Sequence, residues 1–142
     1  MNLVNSSIVK NFIEDIWNQN QFEKLDDYLS SNFIDHSLPP NLPADKEGMT
    51  QWINATGKSF EHTTVIDDMV CEGDKVMLKI HMVLKHIGVW RGIEPTHFEI
   101  SAVGYRYYRL KEGKITEHWS LLDGNAIENQ LKDTQHGCKI QA

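Results

Sequence analysis

The chain has little cysteine and no long apolar run. Its two cysteines are Cys71, beside a predicted turn, and Cys138, in a polar C-terminal stretch, so neither a disulfide framework nor a CxxC metal site is indicated. Nowhere do about 18 apolar residues follow one another, and the N-terminus has no basic region followed by a long apolar one. These absences predict a reduced, soluble, cytoplasmic protein that has no membrane partner.

Basic side chains are also in the minority. The chain has 14 lysines and arginines against 20 acidic residues, which gives a net charge of -6, and the basic residues are scattered. Nucleic-acid binding requires a clustered basic surface, so no nucleic-acid partner is expected.

Several catalytic motifs are missing as well. The seven histidines form no HExxH or similar spacing, so no metal is expected, and no glycine-rich phosphate loop is present. Ser120 stands near His118 and Asp123, but neighbours on one strand point to different faces, which argues against a nucleophilic triad. What remains is acid–base chemistry in an apolar pocket, without a cofactor.

The periodicity of the apolar residues changes along the chain. Apolar positions repeat at helical spacing over 8–17, 22–29 and 49–60, and three prolines exclude regular structure across 37–44. From residue 63 onward the period is two, over 63–70, 76–84, 97–110 and 115–122, with hairpin turns at 72–74 and 111–113. This order predicts an α+β fold in which N-terminal helices pack inside a strongly curved mixed or antiparallel sheet. One domain over 1–132, closed by a helix over 125–131, and a polar tail over 133–142 are expected.

The most informative segment is the strand-like run over 113–123. Strict alternation would place Asp123 on the face of Trp119, where apolar walls would raise its pKa and allow it to act as an acid or base. The alternative is that Asp123 caps the following helix or forms a turn with Gly124.

A wider pattern involves five segments in a fixed order. They are FIDHS at 33–37, KEGM at 46–49, EGDKV at 72–76, KHIGVWRGIEPT at 85–96, and the run over 113–123. With them the chain resembles the SnoaL-like polyketide cyclases of the nuclear-transport-factor-2-like, or ketosteroid-isomerase-like, superfamily. The resemblance implies a cone-shaped fold in which Asp123 is the general acid/base of a cofactor-free ring closure and His118 lies near it. The chain departs from the pattern at 95–97, where Pro-Thr-His replaces the Pro-Thr-Gly of many relatives.

Further candidates would line the pocket of such a cone. On the strand from Val76 the even positions are apolar and lead to His86, which is expected to point inward as a polar anchor or to satisfy a backbone group. His118 has the opposite parity to Asp123, which predicts a place at the pocket rim unless a bulge re-aims one of them. The other residues predicted to bind substrate are His36, Trp52, Trp90, Trp119 and Tyr108.

Two classes of function remain. The favoured one is a cofactor-independent enzyme that closes a ring by aldol chemistry on an apolar, polyketide-like ester, with an isomerase or hydrolase as a sibling activity. Epoxide hydrolysis is disfavoured, because the Arg-x-Asp pair that such relatives use on one strand is absent. The competing class is a module that only binds a small apolar ligand or dimerises. A homodimer is expected through the outer sheet face, where Met77, Val83, Val103 and Tyr105 would lie.

Overall fold

A computed structural model describes residues 2–133, and Cys138 and most of the predicted tail lie outside this range. Residues 2–133 contain four α-helices. Helix α1 (Asn2–Phe12) continues as a π-helix (Ile13–Asn18), and a 3-10 turn (Phe22–Lys24) leads into the short α2 (Leu25–Tyr28). Helix α3 spans Lys46–Ser59, and α4 spans Gly124–Lys132. The predicted helical segments are all found, including the closing helix.

Five strands form one open mixed sheet. They are β1 (Leu29–Asp35), β2 (Phe60–Glu72), β3 (Lys75–His86), β4 (Glu99–Lys111) and β5 (Lys114–Leu122). The order across the sheet is β1-β5-β4-β3-β2, with β1 parallel to β5 and every other pair antiparallel. The predicted cone-shaped α+β fold is confirmed. The sequence did not predict β1 as a strand.

The core lies between the helices and the concave face of the sheet. Every even position of β3 from Val76 to His86 is buried, as the alternation predicts. The even positions of β4 are buried in the same way. From α1 and its π-helical extension, Val9, Phe12 and Ile16 pack against these side chains.

A bulge in β5 changes the predicted alternation. Arg109 of β4 pairs with Glu117, but the next residue, Leu110, pairs with Ile115, so Thr116 is extra. Ile115 and His118 are therefore both buried. Strict alternation along 113–123 would place Ile115 on the same face as Trp119, but the bulge switches the two sides of the strand between them.

The loop over 87–98 contains two non-glycine residues in the left-handed backbone region. Arg91 has φ 47° and His97 has φ 61°. His97 is the residue that stands where many relatives are expected to have glycine, and glycine adopts this conformation without steric cost. The loop is held to α4, since Arg91 pairs with Glu128 at 3.1 Å.

Candidate functional site

A cavity of about 600 Å³ lies between the helices and the concave sheet face. Its walls are mainly apolar, with Trp17, Trp52, Phe60, Leu84, Trp90 and Ile127 among the lining residues. Its polar lining residues are Asp35, Ser37, Thr56, Ser59, Arg91, Arg106, His118 and Ser120. A surface groove of about 830 Å³ near the hairpin turns is larger, but its Arg109 is already paired with Asp74 at 2.8 Å. An apolar cavity with few convergent polar groups is typical of a small-molecule site.

Asp35 and His118 form a buried pair at this cavity. His118 Nδ1 lies 3.0 Å from Asp35 Oδ2, and the two residues are 3% and 2% exposed. They meet because Asp35, the last residue of β1, pairs directly with His118 in the parallel β1–β5 register. Ser37 donates its hydroxyl (2.7 Å) and its backbone N–H (3.0 Å) to the other carboxylate oxygen.

The pKa shifts fix the protonation of this pair. Burial raises the pKa of Asp35, but hydrogen bonds from His118 and Ser37 outweigh burial and hold the pKa below its usual value. Burial lowers the pKa of His118, and the opposing effect of Asp35 does not cancel it. At neutral pH the pair is therefore a carboxylate and a neutral imidazole. Since a carboxylate only accepts, the imidazole proton lies on Nδ1, and Nε2 carries a lone pair.

The Nε2 atom of His118 is buried and has no hydrogen-bond partner within residues 2–133. The His118 ring stacks on Tyr108 at 4.6 Å between centroids, with 20° between the planes. Burial raises the pKa of Tyr108 to about 12, so its hydroxyl is neutral. The imidazole is thus held on one side by an aromatic ring and at Nδ1 by a carboxylate, which leaves Nε2 with a lone pair and without a partner among the described residues.

Arg106 is the second unusual group of the cavity. It is 3% exposed, and its Cζ lies 4.2 Å from the centroid of the Trp17 ring. Its Nε and Nη1 have no hydrogen-bond partner among the described residues. Burial lowers the pKa of Arg106, while Tyr108 and Asp35 oppose the shift. Arginine starts from so high a pKa that the guanidinium stays charged.

The residues predicted from the sequence fall into two groups. Trp52, Trp90 and His118 line the cavity. His36 and Trp119 do not: their rings stack on each other at 4.3 Å, and Trp119 also contacts Tyr107 on the outer face of the sheet. Their predicted roles in binding remain predictions without support from this placement.

His86 and Tyr108 are buried but do not line the cavity. His86 is 0% exposed, as its inward orientation predicts, and its Nδ1 accepts from the backbone N–H of Thr96 at 3.1 Å. The ring packs against Phe60 at 5.3 Å. The arrangement matches the expected alternative of a histidine that satisfies a backbone group. Tyr108 supports the ring of His118 from behind.

Asp123 is exposed at the end of β5 and caps α4. Its side chain accepts from the backbone N–H of Ala126 at 3.0 Å. The expected apolar walls are absent because the strand ends before Asp123 and the bulge turns Trp119 away. The capping alternative describes its structure, and a catalytic role for Asp123 stays a prediction.

Asp35, Arg106 and Ser120 are among the polar cavity residues that were not predicted from the sequence as site residues. Arg106 carried a usable signal, because it interrupts an otherwise apolar or small set of inward positions on β4. Asp35 carried none, since its role depends on strand pairing. Within residues 2–133, no three His, Cys, Asp or Glu side chains group to hold a metal ion. In the same range, no helix is long and apolar enough to cross a membrane.

Two buried histidines and the half-buried His62 predict a loss of stability in mild acid. Burial is the main cause that lowers the pKa of His62, His86 and His118 in the folded state. Between the unfolded histidine pKa of about 6.5 and the lower folded values, the unfolded chain binds more protons, so the stability present above pH 6.5 falls as the pH decreases. Urea unfolding at pH 7.5 and 5.5 should show a decrease of about 1 to 3 kcal/mol. Equal stability at the two pH values would contradict the buried neutral histidines.

We compared the chain with known protein families and with known proteins. The sequence matches the family described as SnoaL-like polyketide cyclase over residues 7–131. No curated protein sequence matches the chain.

Several solved structures share the fold. TsrD from Streptomyces laurentii is 20% identical over 93% of this chain and 97% of its own, with a TM-score of 0.81. IdmH from Streptomyces antibioticus, a proposed polyketide cyclase, is 24% identical over 89% and 97%, with a TM-score of 0.81. A SnoaL-like polyketide cyclase from Agrobacterium tumefaciens is 16% identical over 89% and 97%, with a TM-score of 0.74. At these identities the likeness is one of fold, whereas the family match spans most of the sequence. The chain belongs to the SnoaL-like polyketide cyclase family.

Proposed function

We propose that this protein is a cofactor-independent acid–base enzyme that closes a ring by aldol chemistry, with His118 as the base and Asp35 as its positioning residue. The observation that carries the proposal is the buried Nε2 of His118, which has no partner within residues 2–133 while Nδ1 is held by Asp35. Because burial lowers the pKa of His118, the imidazole is neutral at pH 7 and its Nε2 lone pair is available to take a proton.

The proposed reaction needs no external reagent. His118 Nε2 takes a proton from the carbon next to a carbonyl, which leaves an enolate. The enolate carbon attacks a second carbonyl of the same molecule, forming one carbon–carbon bond, and the resulting alkoxide takes the proton back from the imidazolium. Asp35 stabilises that imidazolium while it exists. Trp52 and Trp90 supply flat apolar surface on which an aromatic or polycyclic substrate can lie.

The base can be tested with 5-nitrobenzisoxazole, a small aromatic carbon acid that opens to a coloured phenolate when its C–H proton is removed. We expect saturable turnover well above that of the same concentration of free imidazole, with an acid limb below pH 6.5 because the pKa of His118 is lowered. If the protein turned over 5-nitrobenzisoxazole no faster than free imidazole does, the alternative function, a non-catalytic module that only binds a ligand, would be favoured.

We also propose that the protein forms a homodimer through the outer face of the sheet. Exposed apolar side chains on this face include Met77, Val103, Tyr105 and Leu121, with exposures of 45%, 45%, 50% and 77%. Tyr105 and Leu121 pair directly across β4 and β5, so the apolar surface continues from strand to strand. Light scattering should give twice the chain mass at micromolar concentration, and Tyr105→Lys should lower it toward the monomer. A monomer in the wild type would remove the proposal.

A further inference from the structure

The cation of Arg106 has no counterion within hydrogen-bond distance in the described part of the chain. Nε and Nη1 have no partner within the distance and angle of a hydrogen bond there, Nη2 meets the sulfur of Met82 at 3.9 Å, and the hydroxyl of Tyr108 is a further, neutral neighbour. A charged side chain that is almost fully buried is normally paired, because an unpaired charge in an apolar environment is costly. Arg106 therefore lacks a directly paired anion, and Asp35 opposes its charge only through space.

Asp35, an acidic residue that lines the same cavity, does not pair directly with Arg106. Asp35 acts on Arg106 through space, but its two carboxylate oxygens already accept from His118 and from Ser37. Tyr108 also influences Arg106, yet its pKa of about 12 keeps it neutral. Among the described residues that line the cavity, no carboxylate forms a direct ion pair with the guanidinium, and the oxygens of Asp35 are held by other donors.

The surroundings of Arg106 suit recognition of an anion. Its Cζ lies 4.2 Å from the centroid of the Trp17 ring, which holds the guanidinium by a cation–π contact. Arg106 pairs with Ser120 across β4 and β5, and both residues line the cavity that also contains His118. A guanidinium binds a carboxylate through two neighbouring nitrogens, Nε with Nη2 or Nη1 with Nη2, and the Nη2 of Arg106 meets the sulfur of Met82, a weak acceptor that a carboxylate can replace.

We infer that Arg106 is a carboxylate-binding site and that the substrate is an aromatic or polycyclic keto acid bound as the free acid, where the sequence alone predicted an ester. The inference rests on the proposed function only in placing the reacting carbonyl beside His118 in the same cavity. The protein's net charge of -6 opposes anions in general, so any preference for an acid must arise locally.

The test compares three ligands of nearly equal shape: 2-naphthoate, 2-naphthamide and methyl 2-naphthoate. Calorimetry at pH 7.5 should show that naphthoate binds the wild type at least about tenfold more tightly than either neutral ligand, because only the carboxylate pairs with the buried cation. Arg106→Met should abolish this preference while the neutral ligands bind as well or better. Equal affinities in the wild type, or a preference that survives in Arg106→Met, would overturn the inference.

A second readout does not depend on the variant folding. In protein with 15N-labelled arginine, the Nε–H signal of Arg106 should shift on addition of 2-naphthoate and stay in place with 2-naphthamide. An unshifted signal under saturating naphthoate would also overturn the inference. Failure of the proposed catalysis is seen separately, because 5-nitrobenzisoxazole carries no carboxylate and its turnover reports on His118 alone.

Discussion

Replacing His118 by glutamine is expected to lower the turnover of 5-nitrobenzisoxazole by about 10²- to 10⁴-fold. Glutamine can still donate a hydrogen bond to Asp35, but it has no basic lone pair at the position of Nε2. The rate constant kcat should fall much more than KM rises, because the apolar walls that bind the ligand are unchanged. Steady-state kinetics at pH 7.5, with melting temperatures to verify folding, measure this effect.

The matched control is Asp123→Asn, which separates the two candidate bases. Asparagine caps a helix as well as aspartate, so the contact with Ala126 and the fold should be retained. If His118 is the base, this variant turns over the probe at close to the wild-type rate. A loss of about 10²-fold or more in Asp123→Asn, together with an active His118→Gln, would restore the sequence-based assignment and refute the one proposed from the structure.

A third variant tests the positioning role of Asp35. Asp35→Asn keeps the size of the side chain but removes the carboxylate that holds the imidazole proton on Nδ1. The expected result is a smaller loss of kcat than in His118→Gln, together with a changed tautomer in 15N spectra of the histidine ring. An unchanged tautomer would show that Asp35 does not set the protonation of His118.

The fold could be predicted from the sequence because its longest elements carry strong periodic signals. Strand β3 alternates without exception from Val76 to His86, and the stripe from Val9 to Trp17 has helical spacing. The two hairpin turns are marked by glycine, and Gly73 and Gly113 both have positive φ. Local rules were sufficient here, since turns and alternation are properties of neighbouring residues.

Two features of the site depend on contacts between distant segments. Asp35 and His118 are 83 positions apart and meet only because β1 pairs in parallel with β5, and a short parallel edge strand leaves little local trace. The bulge at Thr116 also has no local sequence signal. It nevertheless determines that His118, and not Trp119, points inward. His118 could be predicted as a site residue from the sequence, but alternation alone could not orient it.

Arg106 is different, because its signal was present in the sequence. The inward positions of β4 are otherwise occupied by Ile100, Ala102, Gly104, Tyr108 and Leu110. A charge in the middle of such a face is expensive unless something pairs with it. An arginine at an inward position of an apolar strand face is therefore a functional candidate on the strength of the alternation pattern alone.

Gly48→Ala is expected to destabilise the protein by about 3 kcal/mol, at the upper end for overpacking. Gly48 lies in the first turn of α3, where its backbone N–H donates a hydrogen bond to Oδ1 of the N-cap residue Asp45 at 3.0 Å. A Cβ at this position would lie 1.7 Å from the carbonyl oxygen of Pro43, so either the helix start or the proline loop must move. The same loop carries Ser37, the partner of Asp35, and turnover of 5-nitrobenzisoxazole should therefore fall as well.

Gly57→Ala in the same helix is the control for this substitution. The nearest atom to an added Cβ there is His62 Nε2 at 3.9 Å, so the methyl group fits without a clash. Alanine is the better helix former by up to about 1 kcal/mol, and the variant should be as stable as the wild type or more stable, with unchanged turnover. Urea unfolding of both variants measures the difference. A Gly48→Ala variant as stable as the wild type would contradict this expectation. It would mean that the loop over 37–44 moves away from α3 at little cost in free energy. Such a loop could not fix Ser37 beside Asp35.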